Sequence, residues 1–276
     1  VTPFDKLRAA WATTDSMLCV GLDPDEQRLP VALADRPDRL LTFCRDIVDA
    51  TADVVCAFKP QIAHFAAAYG EGVLEAVCAH IRSAAPHALL VLDAKRGDIG
   101  STAERYASEA FARYGADMVT VSPYLGGDSI KPFLQSANHG VFALCRTSNP
   151  GSGDFQSLLV DGEPLYLHVA RRAANEWSQW GSCGLVVGAT YPAELAAVRR
   201  LVGDLPLLVP GVGAQGGDIA ATVAAGASSD GYGMVVNSSR AVLYASAGDD
   251  YAQAARREAI ATRDALRHAQ RRRQTG

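Results

Sequence analysis

The stretch "ALLVLDAKRGDIGSTAERYASEAFARYGADMVTVSP", Ala88 to Pro123, sets two apolar runs on either side of a helical pattern. "ALLVLDAK" and "DMVTVSP" are near-continuous in hydrophobicity rather than alternating, the pattern of parallel strands covered on both faces. Between them Ala103, Tyr106, Ala107, Ala110 and Phe111 recur at helical spacing. Strand, helix, strand in this order is one β/α unit, because parallel neighbours need a long crossover connection.

The same alternation runs along the chain. "MLCVGLD" (Met17 to Asp23) and "DVVCAFKP" (Asp53 to Pro60) precede the opening stretch. "GVFALCRTS" (Gly140 to Ser148), "GLVVGAT" (Gly184 to Thr190), "LPLLVPGVG" (Leu205 to Gly213) and "SDGYGMVVNSS" (Ser229 to Ser239) follow it. Helical patterns lie between, as in "DRLLTFCRDIVDA" and "PAELAAVRRLVG", and a final alanine-rich helix is expected from Asp250 to about Gln270. Eight strands alternating with helices predict an α/β fold, a (β/α)8 TIM barrel, as a single domain over residues 1–276. An open doubly wound sheet is the alternative, but "CVGLDPDE" lacks the G-x-G-x-x-G that usually follows its first strand. The basic "RRRQTG" end reads as a solvated tail, frayed from about residue 270.

A net charge of -4 argues against a nucleic-acid partner. No stretch reaches the roughly 20 apolar residues of a membrane span. Cysteines 19, 44, 56, 78, 145 and 183 form no C-x-x-C pair, so a reducing cytoplasm is the simplest expectation. Histidines and carboxylates show no metal-ligand spacing, and His64 lies in a helical pattern as a packing residue, so no metal is expected.

Barrel chemistry gathers at the carboxyl ends of strands, which directs attention to the polar residues closing each run. The first closes on Asp23, the second on Lys59, and the third on Asp93 and Lys95. Alternation along a strand puts Asp93 and Lys95 on one side, within reach of Lys59 next door. With Asp98 they form an alternating array of two lysines and two aspartates. A single D-x-K is usually an ordinary salt bridge; a buried tetrad serves stability poorly, since desolvation offsets the Coulombic gain. Carboxylate neighbours hold a lysine charged, which suits stabilising a carbanion and then protonating it rather than forming a Schiff base.

Two loops add to the site. "PGVGAQGGD" after the seventh run and "NSSR" after the eighth occupy the usual phosphate position of such barrels, with Gln215 and Arg240 as side-chain donors. "RTSNPGSGDFQSLLVDGEP" after the fifth run is long for a βα loop and suits a lid, with Ser148 at its root, although a plain surface loop fits it equally.

The run "DAKRGDI" resembles the D-x-K-x-x-D-I motif of the orotidine 5′-phosphate decarboxylase family, the last step of UMP synthesis. "GLDPD", "FKPQ", "TSNPG", "PGVGAQGGD" and "NSSRA" fall where that family carries its other motifs, so the resemblance covers nearly the whole chain. It implies decarboxylation of orotidine 5′-phosphate to UMP and CO2 without metal or cofactor, with Lys95 as proton donor and Asp93 beside the substrate carboxylate. It further implies Lys59 and Asp23 on the ribose hydroxyls, Ser148 on the pyrimidine amide edge, and Gln215 and Arg240 on the phosphate. Asp98 and Thr102 would enter the site of a second subunit, making the active unit a homodimer. Thr102 has a competing reading as a helix-start residue, because Ser101 and Glu104 spell an S-x-x-E capping box. Ser239 stands where many relatives have glycine, which bears on a backbone contact to phosphate. Another sugar-phosphate barrel enzyme, a keto-gulonate phosphate decarboxylase or an epimerase, and a catalytically silent phosphate-ligand-binding barrel are the alternative functions.

Overall fold

Each apolar run becomes a strand. A computed structural model describes residues 1–68, 70–212 and 217–275. Its barrel strands are β1 (Leu18–Leu22), β2 (Ala57–Pro60), β3 (Leu89–Arg96), β4 (Met118–Val121), β5 (Gly140–Arg146), β6 (Ser182–Val187), β7 (Leu207–Val209) and β8 (Met234–Ser238). All pair in parallel with their sequence neighbours, and β1 pairs with both β2 and β8, so the sheet closes. The fold is the expected single-domain (β/α)8 barrel. Strand residues are buried almost throughout, as two covered faces require.

The helices are α1 (Pro3–Thr14), α2 (Arg39–Thr51), α3 (Ile62–Ala68), α4 (Glu71–Ala84), α5 (Gly100–Ser108), α6 (Leu165–Asn175), α7 (Pro192–Val202), α8 (Ile219–Gly226), α9 (Arg240–Leu243) and α10 (Tyr251–Thr275). Helix α1 lies across the amino ends of the strands: Lys6 pairs with Asp117 at 2.7 Å just before β4, and Trp11 Nε1 donates to the Met234 carbonyl at 3.1 Å in β8. The carboxyl ends of the strands are thereby left as the open mouth.

Three local outcomes differ from expectation. The β4–β5 connection carries two short 3-10 turns, Gly127–Ser129 and Lys131–Leu134, instead of an α-helix. Its residues explain this: Gly126 turns the chain at φ 92° and Pro132 cannot donate a backbone hydrogen bond. Helix α5 starts at Gly100 with Ile99 at its cap and no side-chain cap bond, so Ser101 and Glu104 form no capping box. A π-helical turn, Glu109–Arg113, continues it. Finally, α10 stays helical to Thr275, past the expected break near residue 270, and Arg273 Nη1 donates to the Ser228 carbonyl at 2.7 Å. That arginine ties the basic end to the loop before β8, whose Ser228 carbonyl also accepts from the Gly231 amide at 3.0 Å.

All six cysteines are free and buried. Among the described residues no helix is long and apolar enough to cross a membrane.

Candidate active site

At the mouth, a cavity of about 470 Å³ is lined by Asp23, Lys59, Asp93, Lys95, Ser148 and Arg240, drawn from five of the eight strand ends. Six of the nine expected site residues therefore converge. Asp98 and Thr102 do not line this cavity; Thr102 is exposed on α5, and Asp98 Oδ1 accepts from the Ile99 amide at 2.8 Å. Gln215 lies outside the described residues.

Asp93 is the centre of the charge array. Its Oδ2 accepts from Lys59 Nζ at 2.8 Å and its Oδ1 from Lys95 Nζ at 2.7 Å. Lys59 is 4 % exposed and Asp93 7 %. Burial alone would discharge both, but the attraction between the partners wins. Burial pulls Lys59 down, yet Asp93 and Asp23 carry it above the ordinary lysine range. Burial likewise pushes Asp93 up, while Lys59 and Lys95 hold it well below the usual carboxylate range. Asp23 Oδ1 stands 3.9 Å from Lys59 Nζ, an ion pair beyond hydrogen-bond distance, and this buried oxygen has no hydrogen-bond partner. An acceptor buried without a donor is costly, and it marks where a ligand hydroxyl would be satisfied.

The expected alternation of Asp93 and Lys95 reaches the right result by another route. Leu92 of β3 pairs with Val119 of β4, and Arg96 pairs with Val121. Asp93, Ala94 and Lys95 thus stand opposite Thr120 alone, a bulge that re-aims the strand end. Lys95 takes φ 47°, left-handed backbone that a non-glycine residue adopts at a cost of roughly 1–3 kcal/mol. The ammonium turns back onto Asp93 as a result. Behind it, Arg96 grips Glu109 of the π-helical turn through Nε and Nη2 at 2.8–3.1 Å and covers the Tyr106 ring at 4.4 Å.

The lid-like segment after β5 is partly structured. Pro150–Asp154 forms a 3-10 turn, and Leu159–Val160 pairs with Glu163–Pro164 as a small hairpin. Gln156 pins its root, accepting from the Thr147 amide at 2.8 Å and donating to Thr147 Oγ1 at 2.9 Å. Buried Arg146 bonds Ser152 in the 3-10 turn and lies 4.0 Å from the centre of the Tyr191 ring, tying the segment to the start of α7. Phe155, Leu158 and Leu159 project into solvent. Gly188 of the next loop lets Ser148 come close, for a Cβ there would lie 2.9 Å from Ser148 atoms.

On the opposite wall, Ser239 stands at the N-cap position of the four-residue α9, which begins with Arg240, but makes no side-chain cap bond. Its φ of -120° makes no demand for glycine, and its buried Oγ has no partner. Gly21 is required nearby, since a Cβ would lie 2.9 Å from Asn237 Oδ1 and Ser239 Cβ.

Sequence reasoning missed Thr120, Gln156 and Asn237, all of which line the cavity. Thr120 and Asn237 had a faint signal, as polar residues near the ends of apolar runs. Gln156 had none, because only the fold of its loop brings it back to Thr147.

The residues also match known proteins. Residues 16–257 match the family model described as "Orotidine 5'-phosphate decarboxylase / HUMPS family". An orotidine 5′-phosphate decarboxylase of Bordetella avium is 63% identical over 263 residues, 95% of this chain and 97% of its own. That of Janthinobacterium sp. is 59% identical over 266 residues, 96% and 98%. Among solved structures, a Leishmania donovani OMP decarboxylase superposes with a TM-score of 0.81 at 38% identity, covering 96% of this chain and all of its own. Agreement that extends over both the sequence and the barrel leads to one conclusion: the chain belongs to the orotidine 5′-phosphate decarboxylase / HUMPS family.

Proposed function

We propose that this chain converts orotidine 5′-phosphate to UMP and CO2 by direct decarboxylation, with Lys95 as the proton donor. It is an enzyme of the carboxy-lyase class, like its near-full-length relatives. The observation that carries the mechanism is the sharing of Asp93 between Lys59 and Lys95. In the proposed step the bond between C6 and the carboxyl carbon breaks, its electron pair stays on C6, and CO2 leaves. Lys95 Nζ then gives its proton to C6, and water restores the ammonium. A cation fixed where negative charge develops stabilises the transition state without reorganisation, and its proton is already in place. Asp93 would lie beside the departing carboxylate and aim Lys95.

Other groups find roles in the same reading. The unpartnered Asp23 Oδ1 and the Lys59 ammonium suit ribose hydroxyls, and Ser148 suits the amide edge of the pyrimidine. Arg240 at the cavity mouth would hold the phosphate, with Ser239 Oγ as a further donor; Gln215 takes the same role on the family resemblance alone. Phosphate binding remote from the reacting carbon would help draw the segment after β5 over the base and expel water.

Neither metal nor cofactor enters. Both Asp93 oxygens are engaged by ammonium and hydroxyl donors, a set that serves proton transfer rather than metal ligation. The active unit in this reading is a homodimer in which Asp98 and Thr102 complete the site of a second copy. Lys95 is 47% exposed at its side chain and meets Asp93 on one side, which leaves room for that second carboxylate. A net charge of -4 and buried free cysteines suit a cytoplasmic enzyme with no nucleic-acid or membrane partner.

The test is a spectrophotometric assay of purified protein with orotidine 5′-phosphate. Loss of orotidylate absorbance, unchanged by EDTA, is expected. Thermal stabilisation by UMP with no turnover would instead identify a silent nucleotide-binding barrel.

A further inference from the structure

We propose that Thr120 is a positioning residue for proton transfer, its hydroxyl fixing both the Asp93 carboxylate and the left-handed backbone at Lys95; this rests on Lys95 being the proton donor. Because β3 bulges between Leu92 and Arg96, the amides of Ala94 and Lys95 are drawn out of the regular β3–β4 ladder. Both donate instead to Thr120 Oγ1, each at 3.0 Å. The same hydroxyl donates to Asp93 Oδ1 at 2.8 Å. A hydroxyl has one proton and two lone pairs, and all three are used here, which fixes the direction of every bond.

This single oxygen therefore links three things that must agree for Lys95 to be aimed. It satisfies the two amides that the bulge would otherwise orphan. It holds the carboxylate oxygen that also binds Lys95 Nζ, and so sets where the ammonium lies. It also meets the strained residue directly, through the Lys95 amide. Thr120 is 1 % exposed, so removing its hydroxyl strips a buried carboxylate oxygen and two amides of the partner it supplies. Its place among apolar barrel residues gives it no packing role that valine could not fill.

Two variants separate these functions. Thr120→Val keeps shape and removes the hydroxyl, while Thr120→Ser keeps the hydroxyl and removes a methyl. With wild type active on orotidine 5′-phosphate, Thr120→Val should lower kcat roughly 10- to 100-fold, the usual consequence of losing a hydrogen bond to a charged group. KM and UMP affinity should stay within about threefold, and Thr120→Ser should restore most of the turnover. The proposal is overturned if Thr120→Val matches wild type, if serine is as damaging as valine, or if valine loses UMP binding together with turnover. An inactive wild type would instead strike the decarboxylase reading itself, a separate result.

Discussion

Asp93 and Lys95 face one another at 2.7 Å although a single residue separates them, and they do so across a bulge in which Lys95 adopts φ 47°. The contact is not the relaxed product of strand alternation. Thr120 holds it, and the next residue along the strand, Arg96, is anchored to Glu109. Strain of this kind persists where surrounding bonds over-determine it, as at a site that must keep one group aimed.

Removing the proton donor should separate binding from chemistry. Lys95→Ala is expected to bind UMP with near-wild-type affinity while kcat falls by at least about 10³-fold, the scale of general acid catalysis. Calorimetric titration with UMP and the absorbance assay measure the two properties. An active Lys95→Ala protein would sink the mechanism.

The buried pair gives a pH signature of its own. Asp93 is depressed in the fold, so its contribution is complete above the unfolded carboxylate value near ~3.9 and is lost as pH falls toward the lower folded value. Lys59 is raised, so its contribution is complete below the unfolded value near ~10.4 and is lost as pH climbs toward the higher folded value. Between about pH 4 and 10 the pair should add no pH dependence to stability. Asp93→Asn should cost roughly 3–5 kcal/mol at neutral pH, because it leaves Lys59 buried beside a neutral amide. Denaturant unfolding across pH measures this, with a shallower acid limb expected in the variant.

Sharing of sites between subunits can be tested by mixing. Lys95→Ala and Asp98→Ala proteins should each be inactive. Subunit exchange should create hybrid dimers in which one of the two sites holds both native residues. Partial recovery of activity is the expected outcome. No recovery, despite exchange demonstrated by mass-tagged subunits, would mean that each chain works with its own Asp98.

Arg240 should act through the phosphate alone. Arg240→Ala is expected to lower kcat/KM for orotidine 5′-phosphate by roughly 10²-fold or more, as loss of a charge-assisted grip predicts. Turnover of orotidine, which lacks the phosphate, should change little. Equal penalties on the two substrates would remove Arg240 from the phosphate site.

The barrel was legible because burial on two faces forces continuous apolar runs, and eight of them are written along the chain. Lys59, Asp93 and Lys95 were legible as charges ending such runs, where water-facing chemistry gathers. Helix α1 was not anticipated, although Thr2 and Asp5 form a capping box at its start. The β4–β5 connection was expected to follow the helical alternation, yet glycine and proline broke it locally. Gln156 could not be found, since its partner Thr147 is brought near only by the folded loop.

Sequence alone determined the barrel, the family and the identity of the charged groups at its mouth, because these follow from residue types and their order along single strands. Tertiary structure decided how those groups are used. A register shift against β4 placed Thr120 opposite three residues of β3, and that contact set the backbone of Lys95 and the division of Asp93 between two lysines. Register and hydrogen-bond direction are relations between strands, and no one strand carries them in its own sequence.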